Sequence, residues 1–348
     1  MRNTLLEKCA KILFVIVLLG IISCNSIEKQ KKETVPVQSL DINELVGEES
    51  RLLLDYLNEL GDYVNSRSFP SLIKVSSVYE GLGENQLIID IRTPELFSKG
   101  HIKNAVRINF EDIPEYFETK IVPFQYDKII IVSEGGQTSS YTVCLLRLMG
   151  YGNVYSMRWG MSGWNMDFAK DGWNKAISSK YLDKLDKKIY DKDAPKKLPE
   201  LKTGKTTGEE ILMSRVHKLF SEGLGSAHIT ADEVFAAIPD FYIMNYIRRD
   251  KYETGHIPGA IRYKPEATLG IVTEMSTINP DKKSIVYCGT GHNSGFITAY
   301  LRLFGYNSLT LIYGNNSFMY DKMIAEKSSL SWLVFSKSNV EDYPYVKD

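Results

Sequence analysis

The chain has 348 residues, 43% hydrophobic and 24% charged, which is the make-up of soluble globular protein with material for more than one core. A formal charge of −1 leaves no global basic field of the kind that draws a protein onto nucleic acid, so no nucleic-acid partner is expected. Four cysteines give no disulfide framework, and no Cys-x-x-Cys or His-x-x-x-His spacing suggests a metal site, so neither metal nor cofactor is expected.

Residues 1–24 read as a leader. Arg2, Lys8 and Lys11 flank or precede the apolar run "ILFVIVLLGII", which at about 11 residues is far short of the roughly 20 that span a bilayer but suits the core of a signal peptide. Its ending, Ile21-Ile22-Ser23-Cys24, resembles a bacterial lipobox, which implies cleavage and lipidation at Cys24. Residues 25–45 form a polar tether without apolar period. The expectation is a protein held at the cell envelope by its lipid, on the periplasmic or cell-surface side of a bacterial membrane. Cys144 and Cys288 are then the cysteines of the mature fold.

An internal repeat organises the rest. "LIIDIRTPELFSKGHIKNAV" (87–106) aligns with "YIMNYIRRDKYETGHIPGAI" (242–261). A single offset of 155 residues relates Gly100-His101-Ile102 to Gly255-His256-Ile257, Ser133 to Cys288, and "LRLMGY" (146–151) to "LRLFGY" (301–306). Two units follow, 46–175 and 206–348, each opening on an amphipathic helix (47–60 and 208–220). Between them residues 176–205 are charged and contain prolines, predicting a linker with some helix. Inside each unit the short continuous apolar runs, "QLIID", "KIIIVS" and "NVYSM", then "FYIMN", "SIVYC" and "LTLIY", predict strands buried on both faces, as in a parallel sheet. Helical patterns lie between them, so the fold class is α/β: two tandem domains, each a parallel sheet flanked by helices. In such sheets ligands bind beyond the carboxyl ends of the strands, and Cys288 falls at that place.

Gly289 and Gly291 allow a tight turn after the strand, and successive N–H groups in a tight turn make a nest for anions. A helix beginning near Asn293 and Ser294 aims its positive end at the same spot. A sulfur at the centre is favoured as thiolate and needs no external base. Cys288 is therefore the candidate nucleophile, and Gly289, Thr290, Gly291, His292, Asn293 and Ser294 the candidate anion-binding loop. His292 reads either as a group that stabilises charge or shuttles a proton, or as an exposed loop histidine. Thr290 offers a hydroxyl to a bound anion or simply shapes the turn. Cys144 aligns with Ala299 and reads as core; His101 and His256 read as structural hydrogen-bonders.

Strand, cysteine loop and helix, with "GHIPGAI" upstream and "LRLFGY" downstream, resemble the rhodanese (sulfurtransferase) family. The resemblance implies tandem domains with catalysis only in the second copy, since Ser133 holds the nucleophile's place in the first. It implies two-step transfer: Cys288 takes a sulfane sulfur from a small donor as a persulfide, then yields it to cyanide, a thiol or a thioredoxin-like acceptor. Without Arg or Lys in the loop, Gly289-Thr290-Gly291 sits nearer the members that use 3-mercaptopyruvate than those that use thiosulfate, with a persulfide donor also open. Arg248 and Arg249 are candidates to grip a donor carboxylate, though both suit a solvated surface. The sequence departs from the family where Asp90-Ile91-Arg92 of the first copy becomes Asn245-Tyr246-Ile247 in the second, and where a late Gly-Gly is reduced to Gly314. A non-catalytic binding or redox-sensing module is the competing reading. A cysteine phosphatase is disfavoured because no arginine follows Cys288 before Arg302.

Overall fold

The computed structural model describes residues 42–266, 268–270 and 274–347. Cys24, the leader and most of the tether lie outside the described residues. No helix among those described is long and apolar enough to cross a membrane.

Residues 41–348 form one compact unit built on two five-stranded sheets. The first sheet comprises β1 (Leu72–Ile73), β2 (Gln86–Asp90), β3 (Val106–Arg107), β4 (Lys128–Val132) and β5 (Val154–Met157), in the order β1-β5-β4-β2-β3. The second repeats it with β6 (His228–Ile229), β7 (Phe241–Asn245), β8 (Ile261–Arg262), β9 (Lys283–Tyr287) and β10 (Ser308–Leu311), in the order β6-β10-β9-β7-β8. Every pairing is parallel. The central strands β4 and β9 are buried at every position after their first residue, which is why their sequences run apolar without alternation.

Helices cover both faces: α1 (Glu48–Glu59), α2 (Val75–Glu80), α3 (Pro94–Lys99) and α4 (Gln137–Leu148) in the first copy, α5 (Gly208–Ser221), α6 (Ala231–Ala236), α7 (Arg249–Tyr252), α8 (His292–Leu303) and α9 (Tyr320–Leu330) in the second. The leading helices α1 and α5 fall where the sequence placed them. One apolar core runs through both copies: Phe69 meets Phe296 edge-on at 5.5 Å and Phe110 meets Phe220 at 4.7 Å.

The linker differs from expectation. Apart from Ala176, which ends the short helix Trp173–Ala176, and a single turn at Leu182–Lys184, it carries no helix among residues 176–205 and runs extended over the surface. Its hydrogen bonds go to tertiary partners instead: Asp186 exchanges both backbone bonds with His256, and Leu198 N–H donates to Leu45 O at 2.8 Å. Leu198 and Leu201 are buried. The C-terminal segment mirrors this arrangement, since Val346 exchanges both backbone bonds with His101. Each copy is thus strapped across its Gly-His-Ile turn by the segment that follows the other copy.

Candidate active site

Cys288 is the first residue after β9, at the carboxyl edge of the second sheet, and the loop it opens closes into α8 two residues after Thr290. The turn is made at Gly291, whose φ of +81° belongs to the left-handed region that favours glycine. The strand-end turn after β10 presses on the loop from the side. Asn315 N–H donates to the Cys288 carbonyl at 3.0 Å, and a Cβ on Gly314 would fall 2.1 Å from that oxygen. Only glycine fits there.

Beneath the loop the thiol meets a chain of hydroxyls. Cys288 Sγ lies 3.7 Å from Ser294 Oγ, which donates to Gly291 O at 3.1 Å and sits 2.7 Å from Thr310 Oγ1. The first copy repeats the arrangement with Ser133, Ser139 and Ser156. There the nest is explicit: the backbone N–H groups of Gly136 and Ser139 donate to Ser133 Oγ at 3.0 and 3.3 Å. Thr310 and Ser156 escaped the sequence reading because a one-residue deletion before β10 breaks the repeat offset.

What lies above the two loops differs. Cys288, Gly289, Thr290 and Asn293 line a hollow of about 250 Å³, together with Arg248 and Lys251. Lys251 was not anticipated. It stands three residues from Arg248, the spacing that puts two side chains on one helix face, and that periodicity was the signal for it. Its Nζ donates to Ser331 O at 3.3 Å and lies 5.2 Å from the centroid of the Trp332 ring. Burial holds the Lys251 ammonium below the usual lysine range; Asp250 and Cys288 act the other way and Arg248 adds to the depression. Arg248 pairs with Asp250 at 2.9 Å and keeps its side chain mostly in solvent. Arg249 is not brought to this hollow. It pairs with Glu253 at 2.6 Å and lines a separate depression with Tyr190 and Arg262. Gly291, His292 and Ser294 shape the loop from below rather than lining the hollow.

His292 is a correction of a different kind. Far from being exposed, it is 1% accessible and wedged between the copies. Its Nε2 accepts the Trp159 N–H at 3.2 Å, which leaves the ring proton on Nδ1 to donate to Thr290 Oγ1 at 2.8 Å. Burial, reinforced by the Arg158 charge and opposed by the Gly135 carbonyl, pushes its pKa down to about 3. A neutral imidazole with both nitrogens occupied is a brace, not a proton shuttle. Gln137 adds a second tie, donating from Nε2 to Thr290 O at 3.2 Å.

The first loop is sealed by the same contacts. Trp173 Nε1 donates to Gly135 O at 2.9 Å, and Trp159, Trp173 and Phe335 pack as one apolar cluster beside it. Asn316 holds the C-terminal strap to the cysteine loop, donating to Gly289 O at 2.7 Å and to Leu333 O at 3.3 Å while accepting the Phe335 N–H at 2.9 Å. Cys144 is fully buried, and burial pushes its thiol far up. His101 and His256 stack on Phe97 and Tyr252, as structural residues do.

The Asp-x-Arg position differs between the copies. In the first copy Arg92 forks onto the Asp90 carboxylate, 2.9 Å from Nε to Oδ1 and 2.6 Å from Nη2 to Oδ2, and reaches Gly100 O at 2.8 Å. Strand register places Asp90 opposite Val132 in that copy and Asn245 opposite Tyr287 in the second. The Tyr287 ring adds bulk there, and its hydroxyl accepts the Ile257 N–H at 3.2 Å. A ring and a neutral hydroxyl thus stand where the first copy has a buried ion pair, and both side-chain amide atoms of Asn245 are buried without a hydrogen-bond partner among the described residues.

The two copies share one architecture, a parallel sheet with a loop at its carboxyl edge that opens into a helix, with Cys288 in the loop of the second copy and Ser133 in that of the first. Comparisons with known proteins give the family. The Rhodanese-like domain family matches residues 74–167 and 247–319. A sulfurtransferase of Allochromatium vinosum is 33% identical over 82 residues, 23% of this chain and 73% of that protein. A thiosulfate sulfurtransferase of Actinobacillus succinogenes is 32% identical over 82 residues, again 23% of this chain and 70% of the other. An uncharacterized protein of Buchnera aphidicola is 31% identical over 80 residues, and the chain spans 54% of its length. Among solved structures, a 3-mercaptopyruvate sulfotransferase of Escherichia coli is 18% identical, with 69% of this chain and 97% of that one covered and a TM-score of 0.26. The chain belongs to the rhodanese-like family.

Proposed function

We propose that this protein is a sulfurtransferase that works through a persulfide on Cys288, with catalysis confined to the second copy. The observation that carries the reading is the contrast between two equivalent loops: one has a sulfur under an open, cation-bearing hollow, the other a serine under a sealed aromatic cluster. The hollow suits a small anionic donor. Lys251 and Arg248 supply charge for a carboxylate or sulfonate. The Thr290 hydroxyl, which already accepts from His292, keeps its own proton to offer to the donor. The Cys288 thiolate attacks the outer sulfur, forming the S–S bond as the bond from that sulfur to the rest of the donor breaks. With 3-mercaptopyruvate, our preferred donor, the electron pair leaves on pyruvate enolate, which takes a proton; with thiosulfate it leaves as sulfite. A thiol, cyanide or thioredoxin-like acceptor then removes the sulfur and restores the thiolate.

The test is sulfur transfer to cyanide from 3-mercaptopyruvate, thiosulfate and a small persulfide, measured for wild type, Cys288→Ser and Cys144→Ser. Activity lost in the first variant and kept in the second supports the proposal. No transfer from any donor by wild type would leave a binding or redox-sensing module in its place. The setting we propose is the envelope of a bacterium, with the chain anchored by lipid on Cys24. Incorporation of labelled palmitate that persists in Cys24→Ala would overturn that part alone.

A further inference from the structure

Both copies have a hollow at the carboxyl edge of the sheet between the first strand and the last, and the two hollows differ in the residues that the strand ends supply. In the first copy β1 and β5 are parallel neighbours with Ile73 opposite Met157, so the next residues, Lys74 and Arg158, leave the sheet side by side. They line a hollow of about 150 Å³ with Ser76, and with Ser338 and Glu341 of the C-terminal strap. In the second copy β6 and β10 build the same hollow, with Thr230, Ile312 and Asp232 in the places of Lys74, Arg158 and Ser76. The second hollow draws its cations, Lys175 and Lys180, from the end of the first copy and the linker, and Lys180 is paired with Asp232 at 2.9 Å; cations at the strand ends themselves stand in the first copy's hollow.

Arg158 makes no ion pair among the described residues, and its Nε is buried with no acceptor in reach. An unpaired, half-buried guanidinium is costly to maintain. Glu341 supplies the one opposing charge on the lining, which leaves the hollow net positive. A guanidinium, an ammonium and the hydroxyl-bearing Ser76 and Ser338 share the lining, the Ser338 hydroxyl lying 2.8 Å from that of Ser336; these are the donor types that oxyanions take. The volume admits a sulfate-sized anion with little water and excludes a nucleotide.

We propose that the first copy, which lacks a sulfur nucleophile, binds a small inorganic oxyanion of the sulfate or phosphate kind between Lys74 and Arg158. The site is separate from the Cys288 hollow and does not depend on the sulfurtransferase reading. Isothermal titration of the full chain with sodium sulfate and, in a parallel arm, sodium phosphate tests it. The key variant is Lys74→Thr/Arg158→Ile, which gives the first hollow the residues of the second; Lys251→Met controls for anions at the cysteine. Saturable binding is expected in wild type and in Lys251→Met, weakened roughly tenfold to a hundredfold in the double variant, as loss of charge-assisted bonds implies. Thermal unfolding without anion checks that the variant folds. Should it not, Lys74→Thr alone, an exposed position, is expected to weaken binding severalfold. No saturable heat with either anion, equal affinity in the folded variants, or loss in Lys251→Met would overturn the proposal. Binding in one arm only identifies which anion the site takes.

Discussion

Acid should loosen the joint between the two copies, and His292 is the group through which it acts. A free imidazole titrates near 6.5, whereas burial between the loops holds His292 down to about 3. Between those values the unfolded chain takes up a proton that the folded chain refuses. Stability is therefore complete above the unfolded value and drains away as pH falls toward the folded one. Going from about pH 6.5 to about pH 5 costs on the order of 2 kcal/mol from this residue alone. His228, pushed down to about 4 mainly by burial, adds a loss of the same sign. Urea unfolding of wild type and His292→Gln across that range isolates the first contribution, because His228 is common to both. The variant should start lower at neutral pH, by about 1–3 kcal/mol, for disturbing the acceptor of the Trp159 N–H. Its stability should then fall less steeply, closing on wild type by about 2 kcal/mol at the acid end. Parallel curves for the two proteins would refute the assignment of a neutral, buried brace.

Two further outcomes follow from the hollow over Cys288. Lys251→Met should lower kcat/KM for an anionic donor roughly tenfold to a hundredfold, the worth of one charge-assisted contact, with little change in thermal stability; steady-state kinetics with 3-mercaptopyruvate checks this, and an unchanged kcat/KM removes Lys251 from the site. Ser133→Cys should not create a second site, because Trp173 caps that loop at Gly135 and Glu134 places a carboxyl beside residue 133. Peptide mapping after donor treatment should find sulfur on residue 288 and not on residue 133.

The repeat, the parallel sheets, the two leading helices and the cysteine loop were all legible because each leaves a local mark: an offset, an apolar run, a glycine spacing. What escaped depends on partners distant in sequence. His292 reads as exposed from its neighbours Gly291 and Asn293, and it is Trp159 and Trp173 of the other copy that bury it. The charged, proline-containing linker reads as a connection with some helix, yet Asp186, Leu198 and Leu201 draw it extended onto the fold. Arg248 and Arg249 seemed interchangeable as adjacent cations, but adjacent positions at a helix start diverge, and Lys251 rather than Arg249 shares the hollow with Arg248. The Asn316 staple is invisible in sequence, since nothing near Asn316 announces that Gly289 and Leu333 flank it.

Intact-mass spectrometry of the purified protein after a brief exposure to 3-mercaptopyruvate or thiosulfate addresses the central claim most directly. Wild type should gain the mass of one sulfur atom, located at Cys288, and release it when cyanide is added; Cys288→Ser should gain nothing. Sulfur found on Cys144, or wild type left unmodified by both donors, would contradict the account.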